Sequence, residues 1–568
     1  MAFFLRKRTY KEAEIDPDEI FLDSQNLPQF DTQQFEGRIE KPIPKYTLAV
    51  VGIFCLLVLL VLIWNIGILQ LEKGGAFRER SENNRLKQIP FFSERGAVYD
   101  RNHVELAWNS PERAYTEAPG HSLLLGYVGY PTEVEIKTQG YNTEELSGKS
   151  GVEKIFNQEL RGESGLKIVE TDAGGTIHSE SVFEAPKSGD SITLSIDSRI
   201  QTALYDSIKS VADERGFAGG AGVIMDIHTG ELLAMTSYPE YSSTLFSDGN
   251  ADAIKKALND TRKPFLNRAT NGVYTPGSIV KPYMALAALT EGIISPEKQI
   301  VSTGSISVQN PYDPKKKSIF MDWKAHGAVD MRRAIAVSSN VYFYEVGGGY
   351  PGQKGLGITR IDTYADLFGF GQKTGANVES ESAGVVPSPQ WKAENFNGED
   401  WLLGDTYFTS IGQYGFLVTP LQMARAVASI ANKGKLITPS VLKQEAPRVT
   451  QNLPIAEESF TVVQEGMRQG VLFGTAAGLN IPGFSIAAKT GTAELGISKE
   501  RVNSWVTGFF PYEKPQYAFA LVMERGARQN TIGGVFVARR LFEWMLEHTP
   551  EYASTALLGA AELKKRAE

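Results

Sequence analysis

Apolar positions along this chain fall into three patterns, and each predicts a different kind of element. From Tyr46 to Leu71, "YTLAVVGIFCLLVLLVLIWNIGILQL" runs for 26 residues without a charge. About 20 apolar residues span a bilayer, so a transmembrane helix with room to tilt is expected over 46–71. The run starts too far from the N-terminus, and is too long, for a cleaved signal peptide. In "SRIQTALYDSIKSVADERG", Ile200, Ala203, Leu204, Ile208 and Val211 recur at helical spacing behind Asp197, a plausible cap. "GAGVIMDIHTGELLAMTSY" reads as two apolar strands joined at His228-Thr229-Gly230. "FSIAAKTGTAEL", "VNSWVTGFFP" and "YAFALVMERG" read as three more strands, and Val535–Leu546 as a closing helix.

These elements order the chain. Residues 1–45 are polar, with nine acids against one base between Glu12 and Glu40, and are expected to be a disordered tail. Residues 72–190 read as a small, mostly β region. In it, "VYDRNHVEL" is two short strands around an Asp-Arg-Asn turn. Residues 191–550 read as one α/β (α+β) domain: a helix and hairpin first, helices in the middle, strands and a helix last. Its sheet is expected to combine strands from both ends. Residues 551–568 are expected to be a loose tail.

Charge and cysteine content narrow the classes. A net charge of −8 gives no reason to expect nucleic acid. The single cysteine, Cys55, excludes a disulfide framework and a cysteine metal cluster. The six histidines form no H-x-x-x-H or H-E-x-x-H pattern. Basic residues do not set the membrane orientation: Arg38, Lys41 and Lys45 precede the span, and Lys73, Arg78, Arg80, Arg85 and Lys87 follow it.

Candidate chemistry begins at "TPGSIVKPY". Pro276-Gly277 stops any earlier helix, and Pro282 is tolerated only in a first turn. A helix is therefore expected to start close to Ser278, among free N–H groups, with Lys281 one turn along on the same face. A hydroxyl beside an amine is an activated nucleophile if the amine can be neutral. A second S-x-x-K, Ser295 to Lys298, follows a Gly and continues into Pro296, in a loop-like setting.

A neutral lysine needs burial or nearby positive charge. "AVSSNVYFY" supplies Ser338 to pass a proton and Asn340 to hold the lysine or a carbonyl. "AAKTGTAE" supplies Lys489, Thr490 and Thr492 to bind a carboxylate, and Gly491 to let a ligand lie against the strand edge. The N–H groups of Ser278 and Thr492 are candidates for an oxyanion hole. A second K-T-G, Lys373 to Gly375, sits among Gly369 and Gly371 and reads as a loop with a solvated lysine.

S-x-x-K, then S-x-N 60 residues on, then K-T-G after another 151, is the trio of penicillin-binding proteins and class A β-lactamases. With "ENNR", "RGAVYDRN", "GKSGVEKIFN", "NRATNGVYTPGSIVKP", "GDTYFTSIGQ" and "TPLQMARAVASIAN", the chain resembles the class B penicillin-binding proteins from Arg85 to Leu546, most closely the elongation type. The resemblance implies a single-pass protein of the cell membrane, its N-terminus cytoplasmic and its catalytic domain extracytoplasmic. It implies a pedestal over 72–190 and a transpeptidase domain with a central antiparallel sheet over 191–550. It implies that Ser278 takes the penultimate D-Ala of a stem pentapeptide, releases the last D-Ala and passes the acyl group to an amine. β-Lactams trap the same acyl-enzyme. A SEDS-family glycan polymerase and other elongation-complex proteins are the implied partners, and no cofactor is implied. The stretch between "VELAWN" and "LLLGYVGY" is shorter than in such relatives, so the pedestal is expected to be cut down. Some of those relatives bind zinc near S-x-N. Here Ser339 stands where they have cysteine, so Asp322 and His326 are expected to be a surface pair and no metal is expected. The alternatives are a carboxypeptidase or β-lactamase with water as acceptor, or a non-catalytic penicillin sensor. No E-x-x-L-N for deacylation is present.

Overall fold

The computed structural model describes residues 44–171, 176–313, 315–496 and 499–553. The tails expected before residue 44 and after residue 553 lie outside the described residues. The described chain divides into two units, one containing residues 44–87 and the other most of the remainder.

The first unit is dominated by helix α1, Lys45–Gly67, which continues in helical form to Glu72. It is long and apolar enough to cross a membrane, and none of its span is buried against protein.

The second unit holds two layered assemblies. In the first, strands Arg113–Tyr115, Glu105–Asn109, Val98–Tyr99 and Ile192–Thr193 lie side by side in that order, with short helices between them in the chain. Its buried anchor is Glu153, whose two carboxylate oxygens accept from Arg95 Nε and Arg113 Nε at 2.6 Å each. A charge this buried is tolerable only when paired and hydrogen-bonded on both oxygens.

The second assembly is built on a five-stranded antiparallel sheet. Helix α2 (Ser198–Arg215) starts where the Asp197 side chain accepts from Arg199 N and ends at Gly216, in the left-handed conformation. The hairpin β1 (Gly219–Asp226) and β2 (Leu232–Tyr238) follows as expected. Then come α3 (Lys281–Thr290), α4 (Met331–Val337), α5 (Asn340–Gly348) and α6 (Pro420–Ala431). The chain closes with β3 (Ala487–Leu495), β4 (Arg501–Phe510), β5 (Tyr517–Ala527) and α7 (Gly533–His548). The strand order is β2-β1-β5-β4-β3, so strands from both ends of the domain share one sheet, and β3 is an edge. Side chains of a strand alternate between faces. Ile224, Leu521 and Phe519 accordingly pack with Leu204 and Ile208 of α2 and Leu541 and Phe542 of α7. Val223, Val522 and Ala520 pack on the opposite face in a core that includes Leu421, Ala424 and Val427 of α6. With both faces covered, the free edge of β3 is the place where a ligand can meet sheet backbone.

Candidate active site

The nucleophile candidate rides on a turn clamped to that edge. Gly277–Val280 forms a turn of 3-10 helix, α3 continues from Lys281, and Pro282 sits in its first turn. Gly277 has φ +57, and a Cβ there would stand 2.7 Å from Thr492 O. From the strand side, a Cβ on Gly491 would stand 2.6 Å from Pro276 O and 2.9 Å from Ile279 Cγ2. Both glycines are therefore required for backbone to meet backbone, which brings the Thr492 peptide against the Ser278 turn. The room at Gly491 is thus taken by the segment that carries Ser278. Ser278 is half-buried, and its hydroxyl joins no hydrogen bond among the described residues.

The two lysines and the S-x-N turn form one network. Lys281 Nζ bonds Asn340 Oδ1 at 2.7 Å, Ser338 O at 2.9 Å and Ser338 Oγ at 3.3 Å. Lys489 Nζ bonds Ser338 Oγ at 2.8 Å and Thr490 O at 2.9 Å. Ser338 is thus the meeting point of both amines. It ends α4 in a left-handed conformation, φ 58 and ψ 42, a strain of about 1–3 kcal/mol that the packed surroundings must hold. Both lysines are fully buried. Burial pushes Lys281 down to about 7, against an opposing pull from Asp322. Burial, and then the charge of Lys281, holds Lys489 well below the usual lysine range. Two ammonium groups sharing one hydroxyl in a dry site disfavour each other, so the pair readily gives up a proton.

The threonines of the strand point elsewhere. Thr490 Oγ1 donates to Thr475 Oγ1 at 2.6 Å, and Thr492 Oγ1 donates to Thr531 O at 3.3 Å. The network therefore joins Lys281, Ser338, Asn340 and Lys489, with Ser278 and the Thr490–Thr492 edge flanking it. Thr475 escaped the sequence reading because nothing local marks it.

The two duplicated motifs resolve as expected. Ser295 is exposed in a loop. Lys373 is exposed, and the backbone of its K-T-G wraps Glu381, which accepts from the N–H groups of Thr374, Gly375 and Ala376. Lys489→Ala removes a buried amine that can meet a substrate carboxylate and is expected to slow acylation by penicillin roughly 10- to 150-fold. This is the equivalent of about 1.5–3 kcal/mol for one charge-assisted contact. Lys373→Ala, which removes a solvated charge, is expected to stay within about 0.5 kcal/mol of the parent. Stopped-flow acylation rates of the two variants, measured side by side, decide which K-T-G is functional.

The reading of Asp322 and His326 as a surface pair is wrong. Asp322 is 6% exposed, and the His326 side chain is 2% exposed. Asp322 Oδ2 accepts from Ser339 Oγ at 2.8 Å, Ser302 Oγ at 3.0 Å and Val341 N at 3.1 Å. Its Oδ1 accepts from Asn340 N and Trp323 N, both at 2.9 Å. The carboxylate thus caps α5 and fixes the S-x-N backbone, as an anion at a helix N-terminus should. His326 Nε2 stands 3.5 Å from Oδ1 without a hydrogen bond, and burial holds the imidazole below its ordinary range. Five donors already fill Asp322, so the residues present are arranged as a hydrogen-bond hub and do not fit a zinc ion. Asp322→Asn turns an amide N–H₂ onto these donors and removes the anion that favours a charged Lys281. Two effects are expected: a loss of at least about 2 kcal/mol of stability by urea titration, and an acid limb of the acylation-rate profile displaced to lower pH.

Comparison with known proteins adds independent findings. The penicillin binding protein transpeptidase domain model matches residues 220–543, and the penicillin-binding protein dimerisation domain model matches 107–194. A peptidoglycan D,D-transpeptidase MrdA of Acinetobacter baumannii is 33% identical over 76% of this chain and 66% of its own length. The crystal structure of Pseudomonas aeruginosa penicillin-binding protein 2 in complex with WCK 5153 is similar, with TM-score 0.68 and 30% identity over 82% of this chain and all of that one. A chain from a structure of a peptidoglycan synthase complex, described as coordinating polymerization and crosslinking, has TM-score 0.70 and 26% identity, covering 87% of this chain and 97% of its own.

Proposed function

This chain belongs to the penicillin-binding protein transpeptidase family, and from that premise we propose that it is a membrane-anchored peptidoglycan D,D-transpeptidase with Ser278 as nucleophile. The observation that supports this most directly is the buried pair of lysines meeting at Ser338 beside the Ser278 turn. Ser278 Oγ attacks the penultimate D-Ala carbonyl of a stem peptide, and its proton passes to a neutral Lys281. The N–H groups of Ser278 and Thr492 receive the developing oxyanion. Ser338 returns a proton to the amine of the departing D-Ala. An amine of a second stem peptide then attacks the ester, its proton leaves through the same hydroxyl, and Ser278 is restored with a new cross-link. Asn340 holds Lys281 in reach, and Lys489 keeps the site poor in protons while drawing the substrate carboxylate. A β-lactam enters by the same attack and stays as the ester.

In this reading α1 is a single membrane anchor with the N-terminus in the cytoplasm. Residues 72–190 form a pedestal, and 191–550 the extracytoplasmic transpeptidase domain. The likeness to a chain of a synthase complex, and the family's division of labour, support a SEDS-type glycan polymerase and other elongation-complex proteins as partners.

The test is product analysis. The purified chain, supplied with nascent glycan carrying pentapeptide stems, is expected to release D-Ala and to form peptide-linked dimers in step with it, both blocked by benzylpenicillin. D-Ala release with only trimmed monomers makes it a carboxypeptidase. A stable penicillin adduct with no release from any stem makes it a sensor.

A further inference from the structure

A cleft of about 490 Å³ opens at the end of the central sheet where α2 stops, β4 begins and β5 runs out. None of the residues that form the Ser278 network lines it. Its floor is a buried ion pair: Arg268 Nη2 donates to Glu524 Oε1 at 2.9 Å, and Tyr274 OH donates to Glu524 Oε2 at 2.8 Å. The Glu524 charge is thereby fully engaged. At the edge, Arg262 is neutralised by Asp260 at 2.8 Å.

Three exposed cations remain on the rim: Lys263, Arg501 and Arg525. None of them has an ion-pair partner among the described residues, in a chain whose net charge is −8. Two of the three, Lys263 and Arg525, hold left-handed backbone at φ 56, a conformation unusual outside glycine and maintained only where the surroundings enforce it. Uncompensated like charges around one concavity raise each other's energy and concentrate anions there. A guanidinium group matches a carboxylate in particular, through two parallel N–H···O bonds, and Arg501 Nη1 reaches the Arg525 backbone, donating to its carbonyl oxygen at 3.3 Å.

We infer that this cleft is a second binding site, one that holds a carboxylate-bearing peptide of the wall polymer apart from the catalytic groove. The inference rests on the reading of the chain as a wall transpeptidase, whose substrate peptides are acidic. The cleft's size suits a few residues of peptide and is too small for the contact area of a folded partner. Its floor also touches the segment that carries the nucleophile. Tyr274 packs edge-on against Trp505 at 6.0 Å, and Trp505 Nε1 donates to Thr275 O at 3.1 Å, three residues before Ser278. A strand held here stays beside the site between turnovers.

The test uses the full chain in detergent, acylated with benzylpenicillin so that the catalytic groove is filled. The probe is the tripeptide L-Ala-γ-D-Glu-L-Lys, with two carboxylates, titrated by calorimetry against its diamide and against inorganic phosphate. The acylated chain is expected to bind the tripeptide and to bind the diamide at least tenfold more weakly. Arg501→Glu/Arg525→Glu and the milder Arg501→Gln/Arg525→Gln are expected to lose at least tenfold in affinity, with thermal unfolding confirming that both fold. Equal affinity in parent and variants overturns the proposal. So does binding that disappears on acylation, which places the peptide in the catalytic groove alone, and so does phosphate competing at the same concentration, which makes the cleft a general anion site. Should penicillin fail to acylate the chain, the transpeptidase reading fails, and the same titration on the unreacted chain still decides the cleft.

Discussion

Benzylpenicillin is expected to add once to this chain, and the adduct is expected to vanish in Ser278→Ala. Among the described residues no other hydroxyl combines the same three conditions. Ser278 stands at the start of a helix, beside a strand edge whose Thr492 peptide meets its own turn, with Lys281 in the next turn. Ser338 lies closer to the amines, but it accepts from both of them, and its residue is buried and strained. Ser295 lies in an exposed loop with no such amine network. Intact-protein mass spectrometry of the parent, Ser278→Ala and Ser295→Ala is the measurement. One adduct in the parent and in Ser295→Ala, with none in Ser278→Ala, is the expected result. An adduct that persists in Ser278→Ala removes the nucleophile assignment and the mechanism built on it. Loss of the hydroxyl leaves nothing to acylate, so the effect is all-or-none, larger than for any helper group. The cost to stability is small, since the hydroxyl has no partner to abandon.

Much of this site was legible in the sequence, because its motifs are local. Pro276, Gly277 and Pro282 fix where a helix can start, so the placement of Ser278 and Lys281 follows from backbone sterics alone. The choice between two K-T-G triplets was equally local: Lys373 lies among glycines at φ 80, 76 and 77, whereas Lys489 lies in an apolar run that pairs with β4. The sheet could be anticipated because its strands are buried on both faces and read as apolar runs. Asp322 was misread because its role appears only on closure of the fold. It lies 17 residues before Ser339 and 20 after Ser302, and nothing nearby announces that three segments converge on its carboxylate. At Gly491 the sequence shows that room is needed, and the fold shows that the Ser278 segment takes it. The cationic cleft is the extreme case: Lys263, Arg501 and Arg525 are far apart in the chain, and each alone is an ordinary surface charge.

Lys281→Met is expected to cut acylation by about 10²- to 10⁴-fold, the usual contribution of a positioned general base, and at the same time to raise the unfolding midpoint. The two effects have one cause. Lys281 has its proton affinity pushed down to about 7 from an ordinary 10.5 because the amine is buried. That makes it a base at physiological pH, and acylation by the parent should rise as pH increases through about 7, where the amine loses its proton. The same shift opposes folding. The unfolded chain keeps the proton up to pH 10.5 while the folded chain has released it, so the unfolded state binds more protons in the window from about 7 to 10.5. Stability therefore rises with pH across that window, and the full penalty is present below it. Methionine fills a similar space without a charge to desolvate. The variant should be more stable than the parent at pH 7, with a shallower pH dependence of stability between about 7 and 10.5. Lys489, buried and depressed by the same causes, keeps some slope in both proteins. Acylation rates and chemical denaturation, each followed from pH 6 to 10, measure the two sides together. A variant that loses acylation and also stability has simply lost packing. One within about threefold of the parent in acylation rate places the base elsewhere, with Lys489, on the other side of Ser338, next in line.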